Sequence, residues 1–225
     1  MIVTILLLTM IGSFILLDKQ AIGEFGISQP IVACPLIGLV FGHFSAGLIL
    51  GSVLQLIWVG SLPLGSKEPL DNQGAGVVAI SIYILATNLL INRAYEKIIF
   101  ICLLLAGIAS LVGQILSKTQ KKINNILFNK VNERSSEKLI ITVHFTGLLT
   151  SLLRNLVLIG SFLILFITIS PLMKFLPNFT IGELLILPLV IGAAGIAHLV
   201  VIRKHILFSV IGVITGLLLW VLLKL

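Results

Sequence analysis

The chain has 225 residues, of which 58% are hydrophobic and only 10% are charged. Soluble domains carry roughly 25% charged residues, so this composition excludes a water-soluble globule and favours an all-α polytopic integral membrane protein. The 15 Lys and Arg residues exceed the 8 Asp and Glu residues, which gives a formal net charge of +7. Because the basic residues fall between apolar runs, they indicate membrane topology and not a nucleic-acid partner. At roughly 20 residues per crossing, the length accommodates about six to eight membrane segments in a single integral membrane domain, residues 1–225.

The first predicted span covers residues 1–17 and is closed by Asp18. No basic stretch precedes it and no small-residue cleavage site follows it, so it is interpreted as a retained membrane helix. Residues 18–29 are polar and predict a loop. The apolar run 30–64 is too long for one span and too short for two, and it contains Pro35 and five glycines. A glycine-rich tip at residues 42–47 therefore predicts a re-entrant or broken helix hairpin, within which the Gly-xxx-Gly spacings predict close helix packing.

The second half of the chain predicts further spans. They are residues 76–90, 98–116, 139–153, 156–173, 181–202 and 206–223. The hydrophilic segment 117–138 holds six Lys and Arg residues, and the positive-inside rule predicts that it is a cytoplasmic loop. Arg154 is interpreted as the boundary between two spans, where its side chain would extend to the lipid headgroups.

Polar residues in or beside apolar segments are the candidate functional residues, because an unpaired polar group in hydrocarbon costs several kcal/mol. They are Gln29, His43, Gln55, Lys67, Glu68, Asp71, Asn72, Gln73 and Glu183. The amide of Gln55 fits either a hydroxylated ligand or an interhelical hydrogen bond, and both interpretations stay open. A structural role is favoured for His43 because it lies at the tip of the predicted hairpin.

The segment from Lys67 to Gln73 combines charges of both signs with two amides. Carboxylate and amide groups bind sugar hydroxyls, and an aromatic ring such as that of Trp58 can lie against the C–H face of a sugar. The segment therefore predicts a sugar site, with a plain cytoplasmic turn as the alternative. The sequence has no nucleotide-binding loop, nucleophile elbow or metal-ligand spacing, so no catalytic residue, cofactor or metal is expected.

Three stretches of the sequence resemble the IIC component of the mannose/sorbose class of the bacterial phosphotransferase system. They are residues 17–39, which include Leu17-Asp18-Lys19 and Gln29-Pro30, the Gly47 to Gly51 segment, and Leu62-Pro63-Leu64-Gly65 with Pro69 and Asp71. The resemblance covers residues 17–74. It implies a subunit of the bacterial cytoplasmic (inner) membrane that translocates a hexose or amino sugar. It also implies a second membrane subunit, IID, and cytoplasmic IIA and IIB proteins that phosphorylate the sugar, so that no histidine of this chain accepts the phosphoryl group. The number of copies in the complex is open, and a homo-oligomer is compatible with the sequence.

The sequence departs from the family pattern at three positions. The family usually has Arg at the position of Gln29, an acidic residue or amide at that of His43, and Glu at that of Gln55. Two hypotheses follow. The first is a sugar permease subunit with Gln55, Asp71, Asn72 and Gln73 as substrate contacts and with Lys67 and Glu68 beside them. The second is a diverged membrane component that does not transport and acts as a sensor or assembly partner.

Overall fold

The computed structural model describes residues 1–19, 23–59, 69–90, 95–133, 137–178 and 180–202. Within these ranges the α-helices are α1 (Ile2–Leu16), α2 (Pro30–Val40), α3 (Phe44–Trp58), α4 (Asn72–Leu89), α5 (Tyr95–Glu133), α6 (Glu137–Ile169) and α7 (Ile181–Ile202). Short 3-10 turns follow α1 and α6. The described helices confirm the all-α membrane fold, and α1, α5 and α6 contain apolar stretches long enough to cross a bilayer. The predicted span 206–223 and the residues Lys67 and Glu68 lie outside the described ranges.

The predicted broken hairpin is confirmed as α2 and α3. The two helices have 11 and 15 residues, so at 1.5 Å per residue neither crosses a hydrocarbon core of ~30 Å. Gly42 forms the turn between them with a φ of 78°. Gly47 and Gly51 let α3 contact the backbone of α2, since a Cβ at Gly51 would lie 2.5 Å from the carbonyl oxygen of Pro30. The predicted close packing is therefore made by Gly38, Gly47 and Gly51, whereas Gly42 serves the turn.

Helix α4 lies at the centre of the bundle and is buried from Gln73 to Ala86. It packs against α1, α2, α3, α5 and α6. Its first turns contain Gly74, Ala75 and Gly76, and such small residues let neighbouring backbones approach closely. A Cβ at Gly76, for example, would lie 3.0 Å from the Cβ of Pro30. The start of α4 is thereby fixed against the start of α2.

The prediction of a loop at residues 117–138 is wrong for the described part of that segment. Helix α5 continues through it to Glu133, and its 39 residues extend roughly 58 Å, about twice the thickness of the hydrocarbon core. Polar side chains do not end a helix whose backbone hydrogen bonds continue, because the side chains remain solvated outside the bilayer. Gln120 donates to the hydroxyl of Ser151, and the hydroxyl of Thr150 donates to Asn124, so α6 accompanies the extension of α5. The cytoplasmic position of this basic segment stays a prediction.

The interpretation of Arg154 as a boundary between two spans is also wrong. Helix α6 runs without a break from Glu137 to Ile169, and Arg154 lies in its middle. Arg154 is only 7% exposed, so its side chain does not extend to the lipid headgroups. The apolar residues on both sides of Arg154 belong to one long helix that turns its charged residue inward.

Candidate functional site

A polar cavity of about 280 Å³ lies where the open end of the α2–α3 hairpin meets the start of α4. Its volume is near the lower end of the ~300–1,000 Å³ found for small-molecule sites. We refer to it as the amide cavity because four of its lining side chains carry amides. The lining residues are Lys19, Glu24, Gln29, Gln55, Trp58, Val59, Pro69, Leu70, Asn72 and Gln73.

The sequence builds this cavity by bringing three helix ends together. Gln29 is the residue before the first helical position of α2, which is occupied by Pro30. The hairpin turn reverses the chain, so the last turn of α3, with Gln55 and Trp58, returns to the start of α2. Asn72 and Gln73 form the first turn of α4. Each of the three helices therefore contributes amide side chains to one space.

The Oε1 atoms of Gln29, Gln55 and Gln73 are buried, and none has a hydrogen-bond partner among the described residues. A buried polar atom without a partner costs about 1–3 kcal/mol, so three of them in glutamines that line one cavity are expensive for the folded protein. A carboxamide can accept through its oxygen and donate through its nitrogen. Trp58, which is 8% exposed, adds an aromatic surface to the same cavity. This arrangement suits a ligand that has several hydroxyl groups and an apolar face.

The predicted site residues divide into three groups. Gln55, Asn72 and Gln73 line the amide cavity together. The side chain of Asp71 is not among the lining groups of that cavity and is engaged in an ion-pair cluster next to it. Lys67 and Glu68 lie outside the described residues.

The ion-pair cluster consists of Lys19, Asp71 and Arg154, and we refer to it as the charge cluster. Asp71 Oδ1 lies 3.2 Å from Lys19 Nζ, and Asp71 Oδ2 accepts a hydrogen bond from Arg154 Nη2. The side chains of Asp71 and Arg154 are 3% and 5% exposed, whereas that of Lys19 is 24% exposed. Asp71 thus neutralises a buried guanidinium and links the end of α1 to the middle of α6.

The same carboxylate fixes the beginning of α4. Asp71 is the N-cap residue, and its Oδ1 accepts a hydrogen bond of 3.2 Å from the backbone N–H of Gly74. Glycines make room for it, since a Cβ at Gly113 would lie 2.6 Å and one at Gly74 2.8 Å from Asp71 Oδ2. Because Asn72 and Gln73 follow Asp71 directly, the charge cluster determines where these two amides lie.

A second carboxylate, Asp18, orders the segment that carries Gln29. Asp18 is 3% exposed and accepts hydrogen bonds from the N–H of Phe25 at 2.8 Å and from the N–H and hydroxyl of Ser28, both at 3.1 Å. These bonds hold residues 25–28 next to the start of α2. Gln29 follows Ser28, so Asp18 positions one wall of the amide cavity.

Sequence reasoning missed Lys19, Arg154 and its neighbour Asn155. Asn155 is fully buried, accepts from Arg154 Nη1 and donates to the carbonyl oxygen of Ser13. The sequence does contain a signal for Arg154 and Asn155, because this Arg-Asn pair has long apolar runs on both sides. An ionisable residue inside a membrane helix is expected to face a partner in the protein.

The remaining candidates lie elsewhere. His43 is at the hairpin tip, where Nε2 lies 3.4 Å from Thr87 Oγ1 and the ring contacts Tyr83 edge-on. These contacts agree with the structural role favoured for it. Glu183 is exposed and caps α7 by accepting from the N–H of Thr180 at 2.8 Å. Among the described residues, no group of three or more His, Cys, Asp or Glu residues is arranged to hold a metal ion.

Comparison with known proteins shows which family the chain resembles. The family model for the "PTS system sorbose-specific IIC component" matches residues 2–223. The sorbose-specific EIIC component of Lacticaseibacillus casei is 29% identical over 153 residues, which make up 66% of this chain and 52% of that protein. The fructose permease IIC component of Bacillus subtilis (strain 168) is 28% identical over 153 residues, or 67% of this chain and 53% of that protein. The chain thus spans about half the length of these two relatives.

The fold has a counterpart among solved structures. A chain described as "Structure of membrane protein" superposes with a TM-score of 0.67 at 18% sequence identity. The match covers 100% of this chain and 96% of the other. At this level of identity the likeness concerns the fold alone.

Proposed function

This chain belongs to the family of sorbose-specific IIC components of the phosphotransferase system, which are bacterial inner-membrane proteins, and on that premise we propose that it binds and translocates a sugar. The proposed substrate is a hexose or amino sugar, and the amide cavity is its proposed site. A IID-type membrane subunit and cytoplasmic IIA and IIB phosphocarriers complete the proposed system. Transfer of the phosphoryl group to the sugar is assigned to IIB, so this chain needs no catalytic residue.

One observation carries the proposal: three glutamines whose buried amide oxygens have no hydrogen-bond partner among the described residues line one cavity. Rotation of these amides towards the cavity would let sugar hydroxyls satisfy them, and Trp58 would contact the apolar face of the ring. Gln55, Asn72 and Gln73 are the proposed contacts from the cavity wall. Asp71 is proposed to act mainly by positioning Asn72 and Gln73, because its described partners are Lys19 and Arg154.

The amides at Gln29 and Gln55 are compatible with transport of a neutral sugar. Where charged side chains usually stand in the family, this chain has uncharged groups that still donate and accept hydrogen bonds. The cavity therefore keeps its hydrogen-bonding capacity while it loses the cost of burying charge.

The test is uptake of radiolabelled D-mannose, D-fructose, L-sorbose and N-acetylgalactosamine in a transport-deficient host that expresses the chain with candidate IIA, IIB and IID partners. We expect saturable accumulation of one sugar as its phosphate, and at least about tenfold lower uptake by Gln73→Leu, since a site that bonds a hydroxyl loses much of its affinity without its partner. The control is Asn125→Leu, which removes an exposed amide of α5 that does not line the amide cavity.

Two results would contradict the proposal. A correctly inserted complex that takes up no sugar would favour the non-transporting hypothesis. Uptake that is equal in Gln73→Leu and Asn125→Leu would keep transport but remove the amide cavity as its site.

A further inference from the structure

A second cavity, of about 320 Å³, adjoins the amide cavity. We refer to it as the lysine cavity. Its lining residues are Lys19, Glu24, Pro69, Ser117, Gln120, Lys121 and Asn124. Three of them, Lys19, Glu24 and Pro69, also line the amide cavity, so the two spaces share a wall.

The lysine cavity lies on the side of the amide cavity that faces the basic end of α5. Four of its lining residues come from positions 117–124 of that helix. This stretch also carries Lys118 and Lys122, and the positive-inside rule predicts that it is cytoplasmic. A sugar that leaves the amide cavity towards the cytoplasm would therefore enter the lysine cavity.

The side chains of the lysine cavity suit an anion better than a neutral sugar. Lys19, which also pairs with Asp71, and Lys121 bring two positive charges to a lining that contains one carboxylate, that of Glu24. Glu24 is exposed, so solvent screens its repulsion of a bound anion. Asn124 adds an amide that can donate to an anion, whereas the Ser117 hydroxyl already donates to the carbonyl oxygen of Gly113 and the Gln120 amide donates to Ser151. Lysine is a common phosphate ligand, and charge-assisted hydrogen bonds to phosphate are stronger than neutral ones.

Lys19 connects the two cavities. Its ammonium group lies 3.2 Å from Asp71 Oδ1, and Asp71 is also bound by Arg154. Asp71 thus keeps a partner when Lys19 turns to another anion. With 24% of its side chain exposed, Lys19 is the accessible member of the charge cluster.

We propose that the lysine cavity is a phosphate subsite, in which Lys19 and Lys121 hold the phosphate group of a sugar phosphate whose ring lies at or near the amide cavity. The inference rests on the proposed function, because it assumes that a sugar occupies the amide cavity. It assigns to the α5 extension a role in receiving the phosphorylated product.

The test measures equilibrium binding to the full-length chain in phosphatidylcholine nanodiscs. The probes are D-mannose, D-mannose 6-phosphate, D-fructose, D-fructose 1-phosphate and inorganic phosphate. We expect at least one phosphate ester to bind more tightly than its parent sugar, with an affinity that falls as salt increases. Lys121→Gln should weaken that ester about tenfold and leave the parent sugar unaffected, whereas Lys122→Gln, an exposed neighbour outside the cavity, should change neither.

The outcomes distinguish a failure of the proposed sugar site from a failure of the proposed phosphate subsite. A chain that binds none of the free sugars contradicts the sugar site, and the phosphate esters then decide the lysine cavity separately. Esters that bind no more tightly than their parent sugars, or Lys121→Gln and Lys122→Gln with equal effects, overturn the phosphate subsite. A parallel arm adds phosphatidylglycerol to the nanodiscs: if this lipid abolishes ester binding in the wild type and itself binds less to Lys121→Gln, the cavity takes a lipid headgroup and the proposal is wrong.

Discussion

At the scale of single residues, the buried polar side chains fall into two kinds. Asp71, Arg154 and Asn155 have partners in the protein and are tied to one another and to the backbone. Gln55 and Gln73 line a cavity, and their buried amide oxygens have no partner among the described residues. The first kind stabilises the fold, and the second is proposed to serve a ligand. Mutation of the first kind should therefore lower stability, whereas mutation of the second kind should impair sugar binding.

Substitution of Gln55 by Leu should preserve or raise stability while it impairs the proposed sugar site. Because it removes a buried oxygen that has no partner among the described residues, the free energy of unfolding should rise by up to about 1–3 kcal/mol. Asn155→Leu is the matched control, since that amide bonds Arg154 and the backbone of Ser13 and its loss should cost about 1–3 kcal/mol. Thermal unfolding in micelles measures both, and equal destabilisation by the two substitutions would show that Gln55 has a structural partner.

The pairing of Asp71 with Arg154 should behave as a coupled unit. Asp71→Leu should destabilise the protein by about 3–5 kcal/mol, because it leaves the buried guanidinium of Arg154 without a counter-charge, and Arg154→Leu should cost less, because Asp71 keeps Lys19 as a partner. The double variant should lose clearly less than the sum of the two. A double-mutant cycle based on reversible unfolding measures this coupling, and strictly additive losses would mean that the two side chains do not interact in the membrane.

At the scale of elements, the α2–α3 hairpin depends on contact between helix backbones. Gly51→Ala should separate α3 from α2, since its new methyl group would lie 2.5 Å from the carbonyl oxygen of Pro30. We expect a loss of at least about 2 kcal/mol in stability, together with reduced sugar binding, because Pro30 follows Gln29. Gly147→Ala in α6 is the control: nothing lies within 4 Å of its added Cβ, and it should be neutral or stabilising. Equal effects of the two would contradict the described packing.

The elements also differ in how far the sequence alone predicts them. The hairpin could be predicted because Pro35 and the glycines at 38, 42, 47 and 51 interrupt an apolar run of unusual length. The continuity of α5 and α6 could not be predicted, since a polar segment is expected to end a membrane helix, whereas in α5 it only marks the exit from the bilayer. Gln55, Asn72 and Gln73 were found from their cost in an apolar setting. The pairing of Asp71 with Arg154 could not be predicted, because Arg154 lies 83 positions away and only folding brings the two together.

At the scale of the whole molecule, the membrane topology of the protein can be read from the side on which the ends of α5 and α6 lie. Cys34 and Cys102 are fully buried, so the wild-type chain should not react with a maleimide that cannot cross the membrane. Asn125→Cys on the basic extension should react only after the cells are made permeable. Lys174→Cys, in the exposed turn after α6, should react in intact cells. Reaction of both at the same side would contradict the crossing of the membrane by α6.

The measurement that tests the central claim most directly is sugar binding reported by Trp58. The chain has two tryptophans, so Trp220→Phe leaves Trp58, in the wall of the amide cavity, as the single indole. Titration of this protein with D-mannose, D-fructose and L-sorbose should change the fluorescence saturably for at least one sugar, and Gln55→Leu and Gln73→Leu should abolish that change while the protein stays folded. A saturable change of equal affinity in both variants would show that the sugar binds outside the amide cavity and would contradict the account.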